Sequence, residues 1–416
     1  MKIALIDNMN NNFFAFARYL RDSGLNAVVY EIPNSSMNHF SSQSDTFYDV
    51  KKINWIKKFP VDINNKNWLF FEKEKIIDEF ADYDLIISCG LSSAYLERAG
   101  LKSDIIIPYG SDLYMIPFKK IKFSLSLSFI RSLFLFSQAR YQIKAYENSR
   151  VLITDNGYEL YRNALIDLNL RALNLGIPML YSKEDLDSDE NMKIWSFLDK
   201  YDFIVFNHSR QYWCSNIDEL DDFSKYGGAK RNDKLIKAFA RFIKITAFSN
   251  PILVLFEYGP DVESSKKLVN KLDISKYVVW MPVMDRKNTM YGLSKATFSS
   301  NAFRESKTDI GGVCYESLAA GTLNLNNCIE AIENPEHKFF NSPMIHALSD
   351  NDILKIFLDY ESSPQKYKKM SQVSKEWFEE NLGVGLAKKY VKLIKLLVKN
   401  RKLTQNDIEV RSLFEK

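Results

Sequence analysis

The sequence predicts an α/β protein made of two doubly wound, Rossmann-like parallel-sheet domains facing a cleft. Three observations carry this. Short apolar runs that end in Asn, Asp or Gly alternate with stretches of helical periodicity, the pattern of parallel strands joined by crossover helices. The alternation runs through the chain as two series, with an acidic, aperiodic segment between them. At 416 residues the chain exceeds what one hydrophobic core organises.

The first series opens with KIALI (2–6), a short apolar run stopped by Asp7 and Asn8, which reads as a buried parallel strand. NNFFAFARYLRDSG (11–24) has helical spacing and ends at Gly24, a C-cap. Strands follow at NAVVYEI (26–32), DLIISCG (84–90), DIIIPYG (104–110) and VLITDNG (151–157). SKEDLDSDEN (182–191) lacks apolar periodicity and reads as linker. The second series has strands at DFIVFNHS (202–209), PILVLFEYG (251–259), YVVWMP (277–282), TFSSNAF (297–303) and TLNLNN (322–327). Its helices are expected at 233–244, 264–274, 287–296 and 313–321. The expected domains are therefore 1–181 and 201–383, with a linker at 182–200. A C-terminal amphipathic helix within 384–416 is expected to pack back toward the first domain.

Composition narrows the function. Apolar residues at 46% and charged residues at 26% describe a soluble globular chain. The formal charge of +4 is too small for a nucleic-acid binder. The N-terminal apolar run is too short for a signal peptide, and no run of about 18 uncharged apolar residues occurs. Cys89, Cys214, Cys314 and Cys328 have neither metal-ligand nor redox spacing and read as reduced, mostly buried thiols, which suits the cytoplasm. A dinucleotide oxidoreductase needs a glycine fingerprint after its first strand, whereas DNMNNNF follows here; GGAKRND (227–233) lacks a third glycine, and no P-loop occurs.

Ligands of open parallel sheets sit outside the carboxyl ends of the strands, so chemistry is expected in the loops there. The run GGVCYESLAAGT (311–322) resembles the donor-site signature of retaining glycosyltransferases of GT-B fold, the large group-1, family 4-like type. That signature is Glu, seven residues, Glu, with a glycine inside and a closing glycine after alanines. Glu316 matches the second glutamate and Gly311 the internal glycine; Thr308 stands in the first glutamate's place, with Asp309 beside it and Glu305 three residues before. NHSRQYW (207–213) supplies Arg210, and AKRNDKLIKAFARF (229–242) resembles the family's lysine-glycine loop, with Lys230 as the lysine and Arg231 in the glycine's place. LFEYGPD (255–261) and YVVWMPVM (277–284) follow in family order.

The resemblance implies a nucleoside-diphosphate sugar as donor and no metal or other cofactor. The residue chemistry fits a diphosphate. Gly311 and Gly312 permit close backbone approach and open a helix, whose N-terminus attracts anions. Arg210 can fork onto phosphate oxygens, Lys230 adds a point charge, and Glu316 can accept from ribose hydroxyls. Thr308 and Asp309 are the expected sugar-facing residues.

In the first domain, Asp112 of IIIPYGSDLYMIPF (105–118) reads either as a helix cap or as a contact or base for the acceptor hydroxyl. Asn8, Asn11 and Asn12 offer polar groups after the first strand. His208 is near the proposed site; His39, His337 and His346 read as surface residues. From 119 to 150 there are seven Lys or Arg and one Glu, a balance of +6 that leaves −2 for the rest. PFKKIKFSLSLSFIRSLFLFSQARYQIK (117–144) is thus either a core helix with a basic outer face or a segment that meets an anionic membrane surface.

These readings predict a metal-independent hexosyltransferase moving a sugar to a glycan or lipid-linked glycan in bacterial-type surface polysaccharide synthesis, cytoplasmic and peripheral on the membrane. Two alternatives stand beside it: a nucleotide-sugar epimerase of GT-B fold, and a non-catalytic nucleotide-sugar-binding partner of an active transferase.

Overall fold

The computed structural model describes residues 1–32, 41–64, 67–121, 127–155, 157–215, 229–305 and 310–414, those at 127–129 without their side chains. Thr308, Asp309, His39 and part of the basic segment, 122–126, lie outside the described residues. The chain divides into two compact units: Met1–Tyr181 with Glu336–Lys338 and Asn381–Lys416, and Ser182–Pro335 with Phe339–Glu380.

The first unit's strands are β1 (Lys2–Ile6), β2 (Asn26–Glu31), β3 (Ile56–Lys58), β4 (Leu85–Ser88), β5 (Ile105–Ile106), β6 (Val151–Thr154) and β7 (Leu173–Asn174). They pair in the order β3-β2-β1-β4-β5-β6-β7, parallel throughout. β1 shows why an unbroken apolar run suits this position. Ile3 and Leu5 enter a core on one face of the sheet, while Ala4 and Ile6 enter another core on the opposite face. The first core also contains Tyr390, Leu393, Ile394 and Leu397 of the helix Val384–Lys399, which packs beside the helix Asn12–Asp22. The second is built around Trp68, Phe80 and Tyr95.

The second unit's strands are β8 (Phe203–Asn207), β9 (Pro251–Phe256), β10 (Val278–Met281), β11 (Phe298–Ser300), β12 (Leu323–Asn326) and β13 (Ile345–His346). Their order is β10-β9-β8-β11-β12-β13, again all parallel. Both expected Rossmann-like sheets are therefore present. The strand order reverses between β1 and β4 in the first unit and between β8 and β11 in the second.

Two expectations are corrected. The segment expected to be a linker, 182–200, folds into the second unit. Ser188 caps the helix Asp189–Trp195, Trp195 is fully buried, and its indole N–H donates to the Asn288 carbonyl at 2.8 Å. A Cβ on Gly292 would come within 2.6 Å of that ring, so the glycine makes room for it. The acidic composition hid one aromatic anchor. Second, His337 is buried rather than at the surface, because Glu336–Lys338 count with the first unit and the ring packs on Tyr158.

Candidate functional site

In doubly wound sheets the crevice for a ligand opens where the strand order reverses. In the second unit that point lies between β8 and β11. β8 ends at Asn207, whose buried side chain donates to Ser209 Oγ at 3.0 Å and Ser300 Oγ at 2.8 Å, and accepts from Gln211 at 3.1 Å and Asn232 at 3.0 Å. This network pins the loop carrying His208 and Arg210 to the end of β11 and the start of the helix Asn232–Phe242. Lys230 is buried beside it: its N–H donates to the Tyr212 carbonyl at 2.6 Å, and its carbonyl accepts from Phe303 N–H at 3.0 Å. Arg210 forms no ion pair among the described residues.

Glu316 lies on the helix Gly312–Ala320, with each carboxylate oxygen already engaged. His208 Nε2 is 2.7 Å from Oε2, and Arg286 Nε donates to Oε1 at 2.8 Å. Burial alone would raise the Glu316 pKa. The His208 hydrogen bond and the Arg286 charge outweigh it and hold the carboxyl down to about 2. Because an ionised carboxylate only accepts, Nε2 of His208 carries a hydrogen. The His208 ring, 8% exposed, meets the Phe206 and Phe256 rings edge-on, and its Nδ1 is buried without a partner among the described residues. Each Glu316 oxygen has a second lone pair, so the carboxylate can still accept from a ligand hydroxyl.

Gly311 has extended backbone, φ −108° and ψ −171°, which any residue adopts. A Cβ on Gly311 or Gly312 would meet no atom of the described residues within 4 Å. Neither packing nor conformation requires these glycines, and together they leave the first N–H groups of the helix approachable. The helix closes at Gly321, φ +76°.

Other cations nearby are spoken for. Arg231, in the left-handed region at φ +57° where glycine is favoured, pairs with Asp233 at 3.0 Å. Lys234 donates to the Phe303 and Leu348 carbonyls at 2.8 Å each and pairs with Glu305 at 3.2 Å. Arg304, in the loop after β11, differs: its Nε and Nη1 are buried and have no hydrogen-bond partner among the described residues.

The first unit has its own polar cluster at the β1/β4 reversal. Asp112 is 1% exposed; Oδ1 accepts from Gly110 N–H at 2.9 Å and Tyr109 N–H at 3.1 Å, and Oδ2 from Gly90 N–H at 2.9 Å. It therefore braces two strand-end loops. Burial pushes its pKa up to about 6, against the Gly110, Gly90 and Tyr109 N–H groups. Asp7 is also buried, and burial pushes it up to about 7, opposed by the Asn8 N–H and reinforced by the Asp112 charge. Asp7, Asn10 and Asn11 all have positive φ (77°, 51° and 60°), so strain concentrates in this loop.

Of the loop asparagines, Asn8 is tied to Asn11, Ser42 and the Phe14 N–H, and Asn11 to Asp45. Asn12 is 5% exposed and its Oδ1 has no partner among the described residues. It lines a pocket at the strand ends, with Tyr109, Asp155, Tyr161 and Lys338 among the polar walls and Ile177 and Met179 among the apolar ones. Lys338 pairs with Asp155 at 3.1 Å.

Sequence reasoning missed Arg286, Asn207, Asn232 and Asp7. Arg286 follows β10 and meets Glu316 only because the strand order brings their loops together. Asp7 carried a signal, a carboxylate ending an apolar strand, but its left-handed backbone was not legible. Cys214 is exposed, unlike the other three cysteines. Among the described residues no cluster of His, Cys, Asp and Glu has the arrangement of a metal site.

No protein-family model and no curated protein sequence matches the chain. Solved structures are similar along nearly its whole length. HepE of Anabaena in complex with UDP superposes with TM-score 0.59 at 14% identity, covering 95% of this chain and 100% of that one. The same protein is also known with UDP-glucose bound. Sucrose-phosphate synthase from Thermosynechococcus elongatus gives TM-score 0.57 at 13% identity, covering 96% and 99%. UDP-GlcNAc 2-epimerase from Neisseria meningitidis, bound to UDP-GlcNAc, gives 0.56 at 12%, covering 95% and 100%. At such identities the likeness is one of fold: two Rossmann-like parallel-sheet domains of the GT-B type.

Proposed function

We propose that this chain is a retaining, metal-independent glycosyltransferase that moves a sugar from a nucleoside-diphosphate sugar to a glycan or lipid-linked glycan of a bacterial-type surface polysaccharide. The observation that carries this reading is the pairing of an ionised Glu316 with His208 and Arg286 on a helix whose N-terminal glycines are uncrowded by the described residues. Glu316 accepts from the ribose hydroxyls, held in place by His208 and Arg286. The diphosphate lies over Gly311 and Gly312 with Arg210 and Lys230 as counter-charges. These groups stabilise the charge that develops on the leaving diphosphate, which is electrostatic catalysis by preorganised donors. The acceptor hydroxyl attacks on the face from which the diphosphate departs, and a diphosphate oxygen takes its proton. The resemblance assigns the sugar-contacting role to Thr308 and Asp309.

The acceptor side belongs to the first unit, whose pocket offers the unpartnered Asn12 Oδ1 to a hydroxyl and apolar walls to a sugar's C–H face. Asp112 supports that pocket by bracing the loops that build it. The membrane contact is the helix Leu127–Asn148: Ile130, Leu133 and Phe136 are exposed at three-residue spacing, beside exposed Arg131, Arg140 and Lys144. No helix among the described residues is long and apolar enough to cross a membrane. Vesicle co-sedimentation checks this contact; equal binding to neutral and anionic vesicles at every salt concentration overturns it.

Parallel melting curves with UDP, GDP and ADP test the donor site, because a ligand held only by the folded state raises its stability. Stabilisation by at least one, lost in Glu316→Gln, is expected; no stabilisation by any overturns the reading. The epimerase likeness favours a second reading of the same site. Incubation with nucleotide-sugars separates the two: an epimerised donor without transfer or hydrolysis marks an epimerase.

A further inference from the structure

The loops leaving β8 and β11 meet where the second sheet reverses direction, and among the described residues they carry two arginines without an ion pair, Arg210 and Arg304. Arg304 Nε and Nη1 are buried, with no hydrogen-bond partner among the described residues. The cations around it are compensated: Arg231 by Asp233, Lys234 by Glu305 and two carbonyls, Arg286 by Glu316. Two guanidinium N–H-bearing nitrogens taken out of water without an acceptor are costly, so a fold keeps them where a ligand supplies the anion.

The root of the side chain is fixed. The Arg304 carbonyl accepts from Asn327 Nδ2 at 2.7 Å, and the preceding Phe303 N–H donates to the Lys230 carbonyl at 3.0 Å. A planar fork on an immobile backbone suits two oxygens of one phosphate.

Chain position indicates which phosphate. The donor reading puts the ribose at Glu316, one turn into the helix Gly312–Ala320, and the diphosphate over Gly311 and Gly312; Arg304 lies in the same connection from β11, on the far side of the glycines from Glu316 in the chain. We infer that Arg304 is the binding residue for the distal phosphate of the nucleoside-diphosphate donor. This rests on the donor reading above and adds a residue that the sequence pattern did not select.

Calorimetric titration of the wild type, Arg304→Met and Arg304→Lys tests it, using whichever of UDP, GDP and ADP the wild type binds best, together with the matching monophosphate. Melting of each protein without ligand is the second readout. Arg304→Met is expected to weaken diphosphate binding about 10- to 100-fold, the size of a charge-assisted contact, and monophosphate binding less than about threefold. Arg304→Lys, which keeps the charge without the fork, falls between. Without ligand, Arg304→Met melts at the wild-type temperature or above, because an uncompensated buried charge is gone. Equal losses for both nucleotides, or none, overturn the assignment. A lower melting temperature without ligand also overturns it, since that marks a protein partner. A wild type that binds none of the three diphosphates overturns the donor reading itself.

Discussion

The two units bury carboxylates at equivalent places, the strand ends where their sheets reverse, and shift their pKa values in opposite directions. In the second unit Glu316 meets Arg286 and His208 and is held down to about 2. In the first, Asp7 and Asp112 have burial as the largest influence and backbone N–H groups as opposition, with the Asp112 charge adding to the rise of Asp7, and they reach about 7 and 6. Burial is common to all three. What differs is whether a cation answers the carboxylate, and that decides the direction in which its pKa moves.

The strongest way to break this contrast is to remove the answered carboxylate. Glu316→Ala leaves Arg286 and His208 buried without their acceptor, and is expected to cost about 3–5 kcal/mol in urea unfolding. A cost below about 1 kcal/mol would mean that the pairing is not maintained in solution.

A pH scan sharpens it. The folded pKa of Glu316 is depressed, so its contribution, about 3 kcal/mol, is present above its unfolded value of 4.5 and is lost as pH falls toward 2. Asp7 and Asp112 run the other way. Their folded values are raised above 3.8, so the unfolded state ionises first and stability declines as pH rises from about 4 to about 7. Asp7→Asn, which suits a positive φ, is expected to flatten that decline and to stabilise the protein at pH 8 by about 1–3 kcal/mol. Unchanged stability at pH 8 would show Asp7 to be ionised at little cost.

Two glycines extend the comparison. Gly90 sits at φ +61°, and a Cβ there would come within 2.4 Å of Asp7 Oδ2. Gly90→Ala is therefore expected to destabilise by about 1–3 kcal/mol. Gly311 has ordinary backbone and open space before it. The smallest effect on stability, under about 0.5 kcal/mol, is expected for Gly311→Ala, together with weakened nucleoside-diphosphate binding. If both variants lost equal stability, Gly311 would be a packing residue and the open helix N-terminus would lose its meaning.

The legibility of the molecule follows the range of its interactions. β1, β8 and β9 were readable because an unbroken apolar run is what a strand buried on both faces needs. The short strands β3, β7 and β13 carried too few residues for a pattern. The glycine pair ahead of Glu316 was readable as a helix opening. The helix Asp189–Trp195 was not, because one tryptophan anchors it among acidic residues.

The sequence by itself determined the two parallel sheets, their crossover helices and the placing of polar residues after the strands, since these follow from local periodicity. Tertiary structure alone decided which groups meet there. Glu316 lies 30 residues from Arg286 and 108 from His208. Asp112 finds the Gly90 N–H across 22 residues. Those encounters depend on strand order, which local pattern does not encode, and on the burial and partner charge that then decide whether a carboxylate keeps its proton.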